Sequence, residues 1–219
     1  MPVDVSEQAL LAAASALFSD YPGLEVSGVV SDFEDYLSPG DHGEAGAGDG
    51  PRMVAFLGST IGNLLPAERA SFLARIRSGL DTGDTFLLGT DLVKDPSVLV
   101  AAYDDGAGVT AAFNKNVLSV LNHELGADFD LDRFEHVARW DPDQEWIEMR
   151  LRAAGAQTVR LPGISLTVQF ADGEEMRTEV SAKFRREGVE RELTAAGFAL
   201  DQWWTDRQGR FGLALARPA

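Results

Sequence analysis

Met1-Pro2-Val3-Asp4-Val5 opens the chain, and the reading of these five residues decides the fold. A short apolar run ends on Asp4. Ser6 then caps a helix that carries Ala9, Leu10, Ala13, Ala14 and Leu17. In alternating strand and helix sequence, an acid at the carboxyl end of a strand suits the two hydroxyls of a nucleoside ribose. The glycine-rich turn that approaches the cofactor in such folds belongs to the preceding strand. That strand is expected before Met1, so the chain reads as a nucleotide-cofactor enzyme entered partway through.

Working outward, helical spacing holds from Ser6 to about Ser19, where Pro22-Gly23 ends it. Leu24 to Val30 reads as a strand stopping on a second acid, Asp32, followed by Phe33. The stretch from Pro39 to Pro51 is nearly all turn formers and acids. It reads as a surface loop, since it has no lysine and does not join a strand to a helix. Arg52 to Leu57 is a buried-type strand with a loop, Gly58 to Asn63, at its carboxyl end. Pro66 suits a first helical position, and Ala67 to Leu80 is amphipathic. Thr85 to Gly89 is a further apolar strand. This alternation predicts a doubly wound α/β domain.

After Asp91 the pattern changes. Helices are predicted over Pro96 to Tyr103 and Val109 to Leu125. Strand-like runs follow at Phe134 to Trp140, Glu145 to Ala153, Gln157 to Leu161 and Ser165 to Phe170. Arg185 to Ala196 returns to helix, with Gly197 placed to end it. Phe198 to Thr205 and Arg210 to Ala216 form a closing hairpin around Asp206-Arg-Gln-Gly209. The expected organisation is an α/β domain over 1–92 and 185–219, with an α+β lobe inserted over 93–184.

Composition narrows the function classes. Hydrophobic residues make up 45% and charged residues 25% of the 219, ordinary values for a globular protein. The formal net charge of −16 argues against non-specific nucleic-acid binding, which needs a basic face. No run of about 18 apolar residues predicts a membrane span, so no membrane partner is expected. The absence of cysteine excludes disulfides and thiolate chemistry, and it fits a cytoplasmic protein. His42, His123 and His136 show no metal-ligand spacing, so no metal is expected.

Four separated motifs, in order, carry a family resemblance. They are Phe56-Leu-Gly-Ser-Thr-Ile-Gly-Asn-Leu64, Gly89-Thr-Asp-Leu-Val-Lys-Asp95, Glu145-Trp-Ile-Glu-Met-Arg150 and Thr178-Glu-Val-Ser-Ala-Lys-Phe184. Together they resemble the histidine-specific methyltransferases of ergothioneine biosynthesis. The resemblance implies a Rossmann-like class I methyltransferase sheet, here without its first strand, and a lobe that supplies much of the amino-acid pocket. It also implies S-adenosylmethionine as cofactor, L-histidine as substrate and three methyl transfers to the α-amine, giving hercynine.

Residue by residue, the resemblance assigns Asp4 to the ribose and Asp32 with Phe33 to the adenine. Gly58 lines the reaction centre. Asn63 and Tyr103 hold the amino and carboxylate groups, Glu179 and Ser181 read the imidazole, and Met149 forms an apolar wall. Glu179 and Ser181, two apart on an extended strand, point to one face and can meet the two ring nitrogens. A site that pairs its substrate in this way rejects analogues that leave it unpaired by as much as ~10⁴-fold.

Taken singly, each of these residues has a plainer use. An acid ending a strand is more often a cap or turn residue. A Gly-x-x-x-Gly loop is usually tight packing, and a strand glutamate is usually solvated. Trp203-Trp204 reads as core and sheet surface.

The resemblance also places the glycine-rich strand, a cofactor-contacting lysine and further pocket aromatics upstream of Met1. The expectation is two unpaired edges, at the strands ending on Asp4 and Leu57, and a chain that alone is unstable or binds cofactor poorly. Two further readings stand beside this one: methyl transfer to another amino acid, and a non-catalytic remnant that self-associates through unpaired sheet edges. A nicotinamide dehydrogenase is disfavoured, because no Gly-x-Gly-x-x-Gly follows a predicted strand.

Overall fold

A computed structural model describes residues 1–32 and 50–219. Phe33 and most of the turn-rich stretch 39–51 lie outside the described residues. Strand β1 (Val3–Asp4) pairs in parallel with β2 (Val29–Val30). Between them runs α1 (Glu7–Asp20), whose cap Ser6 accepts from the Ala9 N–H at 3.2 Å. The strand expected over Leu24 to Val30 shrinks to two laddered residues, because β1 offers it only Val3 and Asp4 as partners. Of the predicted apolar face of α1, Leu10 is buried, Ala14 and Leu17 are half-buried, and Ala9 and Ala13 are exposed.

A second sheet runs in the order β10-β11-β4-β3. In it, β3 (Met53–Phe56) and β4 (Thr85–Asp91) are parallel, and β11 (Phe211–Pro218) and β10 (Phe198–Thr205) add the antiparallel hairpin. The α/β reading with a closing hairpin therefore describes this part of the molecule. Strand β4 outruns its predicted end at Gly89 because β11 continues to pair with it as far as Asp91.

Helix α2 (Pro66–Ser78) starts on its proline, with the Glu68 carboxylate accepting from the Leu65 N–H at 2.6 Å. Phe72, Leu73 and Ile76 on α2 pack with Phe86 and Leu88 of β4 and with Val189 and Leu193 of α5 (Arg186–Ala195). Trp203 joins this core from its edge and Trp204 is exposed, as the sequence predicts.

The remaining elements are α3 (Pro96–Tyr103), α4 (Val109–Leu125), the antiparallel sheet β5 (Phe134–Asp141)–β6 (Trp146–Ala153)–β9 (Glu175–Ala182), and the hairpin β7 (Gln157–Leu161)–β8 (Leu166–Phe170). Leu118, Phe129, Phe134, Leu151, Val159 and Phe170 form a core of their own here. The two sheets meet where Leu92 bridges Phe184. There the Phe184 N–H donates to the Asp91 carbonyl at 2.8 Å, and the Val93 N–H donates to the Phe184 carbonyl at 3.0 Å. Trp146, Val180, Ala182 and Phe184 cross this junction into the first core. The end of β4 and the end of β9 are thus held side by side, which is what builds the site.

At the opposite end of β4, Asp84 is buried and clamps the start of the sheet. Its carboxylate accepts from the Arg52 backbone N–H at 2.7 Å, from Arg52 Nη2 at 2.6 Å and from the Asp81 N–H at 2.9 Å. Burial pushes this carboxyl up, but the Arg52 and Asp81 donors outweigh it, and the pKa lies below the usual aspartate value. A depressed folded-state pKa gives stabilisation that is present above the unfolded value and lost as pH falls through the folded one. Asp84→Asn is expected to cost about 1–3 kcal/mol. That cost would appear as a lower urea midpoint at neutral pH, with a flatter acid limb. An unchanged midpoint would show that the clamp contributes nothing.

Candidate active site

The loop after β3 is shaped by backbone strain and close contact. Gly58 and Ser59 both adopt positive φ, 80° and 63°, a conformation that costs a non-glycine residue energy. Ser59 is held there because its Oγ accepts from the Asp91 N–H at 2.8 Å, which ties the loop to the end of β4. The 3-10 turn Thr60–Asn63 follows and lies against β9. A Cβ at Gly62 would stand 2.8 Å from the Ala182 carbonyl oxygen, so only glycine permits this approach. Asn63 is thereby brought to the part of β9 that carries Ser181.

Tyr103 arrives from the other side, at the end of α3. That helix is started by Asp95, whose carboxylate accepts from the Ser97 N–H at 2.8 Å, and by Pro96. The Tyr103 carbonyl accepts from His136 Nε2 at 2.7 Å. Since a carbonyl only accepts, this nitrogen bears the ring proton, and Nδ1 accepts from Asn114 Nδ2 at 2.9 Å. His136 is therefore a structural residue. Among the described residues no His, Asp or Glu cluster could hold a metal ion.

These elements enclose a polar cavity of about 320 Å³. Gly58, Ser59, Thr60 and Asn63 line it from the loop, Asp91 from β4, and Tyr103 from α3. Glu179, Ser181 and Lys183 line it from β9 and the residue just past it, and Phe211 from β11. Five residues singled out in the sequence thus share one cavity: Gly58, Asn63, Tyr103, Glu179 and Ser181. The Tyr103 and Ser181 hydroxyl oxygens lie 2.7 Å apart. Burial pushes the Glu179 carboxyl above the usual glutamate value, and the positive charge of Lys183 opposes this.

Met149 departs from expectation. It lies cross-strand from Glu179 and shares its face of the sheet, but it is buried and does not line the cavity. Its carbonyl instead accepts from Thr178 Oγ1 at 3.0 Å.

Lys183 and Asp91 were missed as site residues, although both stand inside the quoted motifs. The alternation that puts Glu179 and Ser181 on one face also puts Lys183 there. The sequence carries no signal that this lysine is buried.

Asp4 and Asp32 line a second, larger cavity of about 910 Å³, bounded by β1 on one side and by β3, Phe72 and Ile76 on the other. Thr60 lines both cavities, so they adjoin. Asp4 also serves the local turn, its Oδ1 accepting from the Ser6 N–H at 2.8 Å. Two carboxylates at the mouth of a largely apolar cleft fit the hydroxyls and exocyclic amine of a nucleoside. At the junction Gly58 has open space on its Cβ side, with only Thr60 Oγ1 in contact range, at 3.8 Å. The residues present therefore fit an adenosyl cofactor that reaches toward the polar cavity.

Comparison with known proteins agrees with this chemistry. A family model described as histidine-specific methyltransferase, SAM-dependent, matches residues 1–218. The histidine N-alpha-methyltransferase of Mycolicibacterium smegmatis is 56% identical over 216 residues, covering 99% of this chain and 65% of that protein. Its counterpart from Mycobacterium tuberculosis is 53% identical over 216 residues with the same coverage. Ergothioneine biosynthesis protein 1 of Schizosaccharomyces pombe is 30% identical over 142 residues, 64% of this chain and 18% of that protein. The chain spans 65% of the length of the two mycobacterial relatives.

Proposed function

Because this chain belongs to the family of histidine-specific, S-adenosylmethionine-dependent methyltransferases, we propose that its polar cavity seats L-histidine and directs the α-amine toward repeated methylation, giving hercynine. The observation that carries this reading is the convergence of Asn63, Tyr103, Glu179 and Ser181 on one cavity beside the Gly58 loop. In this reading the Glu179 carboxylate accepts from one imidazole nitrogen and a hydroxyl at Ser181 donates to the other. Asn63 and Tyr103 stand against the amino and carboxylate groups at the loop end, where the Asn63 amide nitrogen donates to the carboxylate. Asp4, Asp32 and Phe33 hold the adenosine, and Met149 supports the β6–β9 face beneath the ring.

Bound S-adenosylmethionine supplies an electrophilic methyl group on a sulfonium. The protein's own task is to present a neutral amine on line and to keep it there. Asn63 suits this, since its amide oxygen accepts an amine N–H and leaves the nitrogen lone pair for bond formation. The amine lone pair would form the new N–C bond; each of the first two transfers would release one amine proton to solvent, and the third, on a tertiary amine without an N–H, none. Such a site contributes orientation and electrostatics, not a covalent intermediate.

The reading extends to organisation and setting. Residues 1–92 with 185–219 form the cofactor-binding part and 93–184 the substrate lobe. The separate core around Leu118, Phe134 and Phe170 supports this division. Among the described residues β1 pairs with β2 and β3 with β4. Self-association through the facing edges is the remaining part of the reading, and sedimentation over a concentration series tests it. No helix among the described residues is long and apolar enough to cross a membrane, and a cytoplasmic location is proposed.

Mass spectrometry of the protein incubated with S-adenosylmethionine and each amino acid in turn tests the function. Methylated product is expected with histidine alone. Methylation of another amino acid with histidine inert would overturn the substrate assignment.

A further inference from the structure

We infer that Lys183 is the positioning residue of this cavity: its buried ammonium, anchored on Asp91, fixes which way the hydroxyl protons of Tyr103 and Ser181 point. The inference rests on the histidine reading and deepens it.

The Lys183 side chain is 1% exposed. An ammonium carries three N–H donors and no acceptor. Three acceptors surround it: Asp91 Oδ2 at 3.1 Å, the Tyr103 hydroxyl at 2.9 Å and Ser181 Oγ at 2.8 Å. It also lies 4.7 Å from the centroid of the Tyr103 ring. A buried cation persists only when paired and hydrogen-bonded in this way. The charged groups around it are Asp91 on β4, Lys94 just beyond, which also pairs with Asp91, and Glu179 on β9.

The consequence follows from counting protons. Both hydroxyl oxygens already accept from Lys183, and they lie within hydrogen-bond distance of each other. One hydroxyl proton fills the bond between them. The other has no acceptor within the trio and is offered to a ligand. The cavity therefore presents one O–H donor on this wall and one acceptor, the Glu179 carboxylate, on the same strand. A ring with one N–H and one bare nitrogen satisfies both. An imidazolium, with two N–H groups and no acceptor, leaves the hydroxyl unpaired. So does a ring alkylated on the nitrogen that should accept. Lys183 thus selects neutral imidazole without touching it.

Lys183→Met keeps the unbranched apolar stem of the side chain and removes the ammonium with its charge and its three donors. Calorimetric titration of this variant with L-histidine, in the presence of S-adenosylhomocysteine, should show affinity reduced by ~30-fold or more, with S-adenosylhomocysteine affinity retained. The preference for histidine over ring-methylated histidine should narrow. A purely structural lysine would weaken both ligands together. Histidine affinity equal to wild type would overturn the inference.

The chain has three lysines, Lys94, Lys115 and Lys183, so the ammonium signals in a ¹⁵N-lysine spectrum can be assigned by single replacements. Without any ligand, the Lys183 signal should be protected from solvent exchange, and Ser181→Ala and Tyr103→Phe should each reduce that protection. Exchange as fast as that of free lysine would overturn the inference by itself. Wild-type protein that takes S-adenosylhomocysteine but not histidine would overturn the substrate reading instead, and the ammonium signal would still decide the role of Lys183.

Discussion

Glu179→Gln should weaken histidine binding by ~10²-fold or more and leave the protein as stable as before or more so. The two halves of this result have one cause. Burial pushes the Glu179 carboxyl up, and the Lys183 charge only partly opposes it. An acid whose folded-state pKa is raised binds more protons folded than unfolded between the two values. Stability therefore declines as pH rises from the ordinary glutamate range through the raised value, and the ionised form carries the cost at neutral pH. Glutamine has nearly the same shape and no charge, so it removes the cost. It also turns an acceptor-only group into one whose amide donors face the imidazole N–H. Histidine titration and thermal melts at neutral pH read both halves. Unchanged affinity would remove Glu179 from the binding site, and a large drop in melting temperature would show its charge to be structural.

Gly62→Ala is expected to damage fold and site together. Gly62 needs no left-handed backbone; its constraint is the approach of β9. An added Cβ would meet the Ala182 carbonyl oxygen at 2.8 Å and the Ala182 nitrogen at 3.3 Å. Both are backbone atoms of a strand paired along its length with β6, so neither can swing aside. Overpacking of this kind costs about 1–3 kcal/mol. The displacement falls between Asn63 on one side and Ser181 and Lys183 on the other, so histidine affinity should fall with stability. Gly106→Ala is the control, since nothing lies within 4 Å of its added Cβ. Urea midpoints that move equally in the two variants would contradict the packing argument.

How much of this was legible in the chain depended on whether the cause was local. Helices α3 and α4 begin and end where the sequence places them. Asp95-Pro96 is a local start signal, and Gly126 closes α4 in a left-handed conformation with φ 62°. The strand expected over Leu24 to Val30 has the right composition, but pairing is a property of the partner, and β1 supplies two residues. The same division runs through the site. Strand alternation alone aligns Glu179 with Ser181, whereas only the family resemblance assigns Asn63 and Tyr103 to the same pocket.

Lys183 was invisible because an isolated lysine at the end of a strand reads as a solvated cation. Its burial arises only where the Leu92–Phe184 bridge sets two sheets side by side and brings Asp91 against it. Met149 failed for a related reason. Facing the right way on β6 does not decide which residue of that face the cavity reaches. Asp4 shows that the plain and the functional readings can coexist, since it holds the Ser6 N–H and lines the larger cleft.

The most direct test of the whole account is a crystal structure with S-adenosylhomocysteine and L-histidine bound. The account predicts the imidazole between Glu179 and Ser181, the α-amine beside Asn63 at the Gly58 loop, and the adenosine near Asp4 and Asp32. Histidine bound in the reverse orientation, with its ring at the loop and its carboxylate at Glu179, or bound outside this cavity, would contradict it.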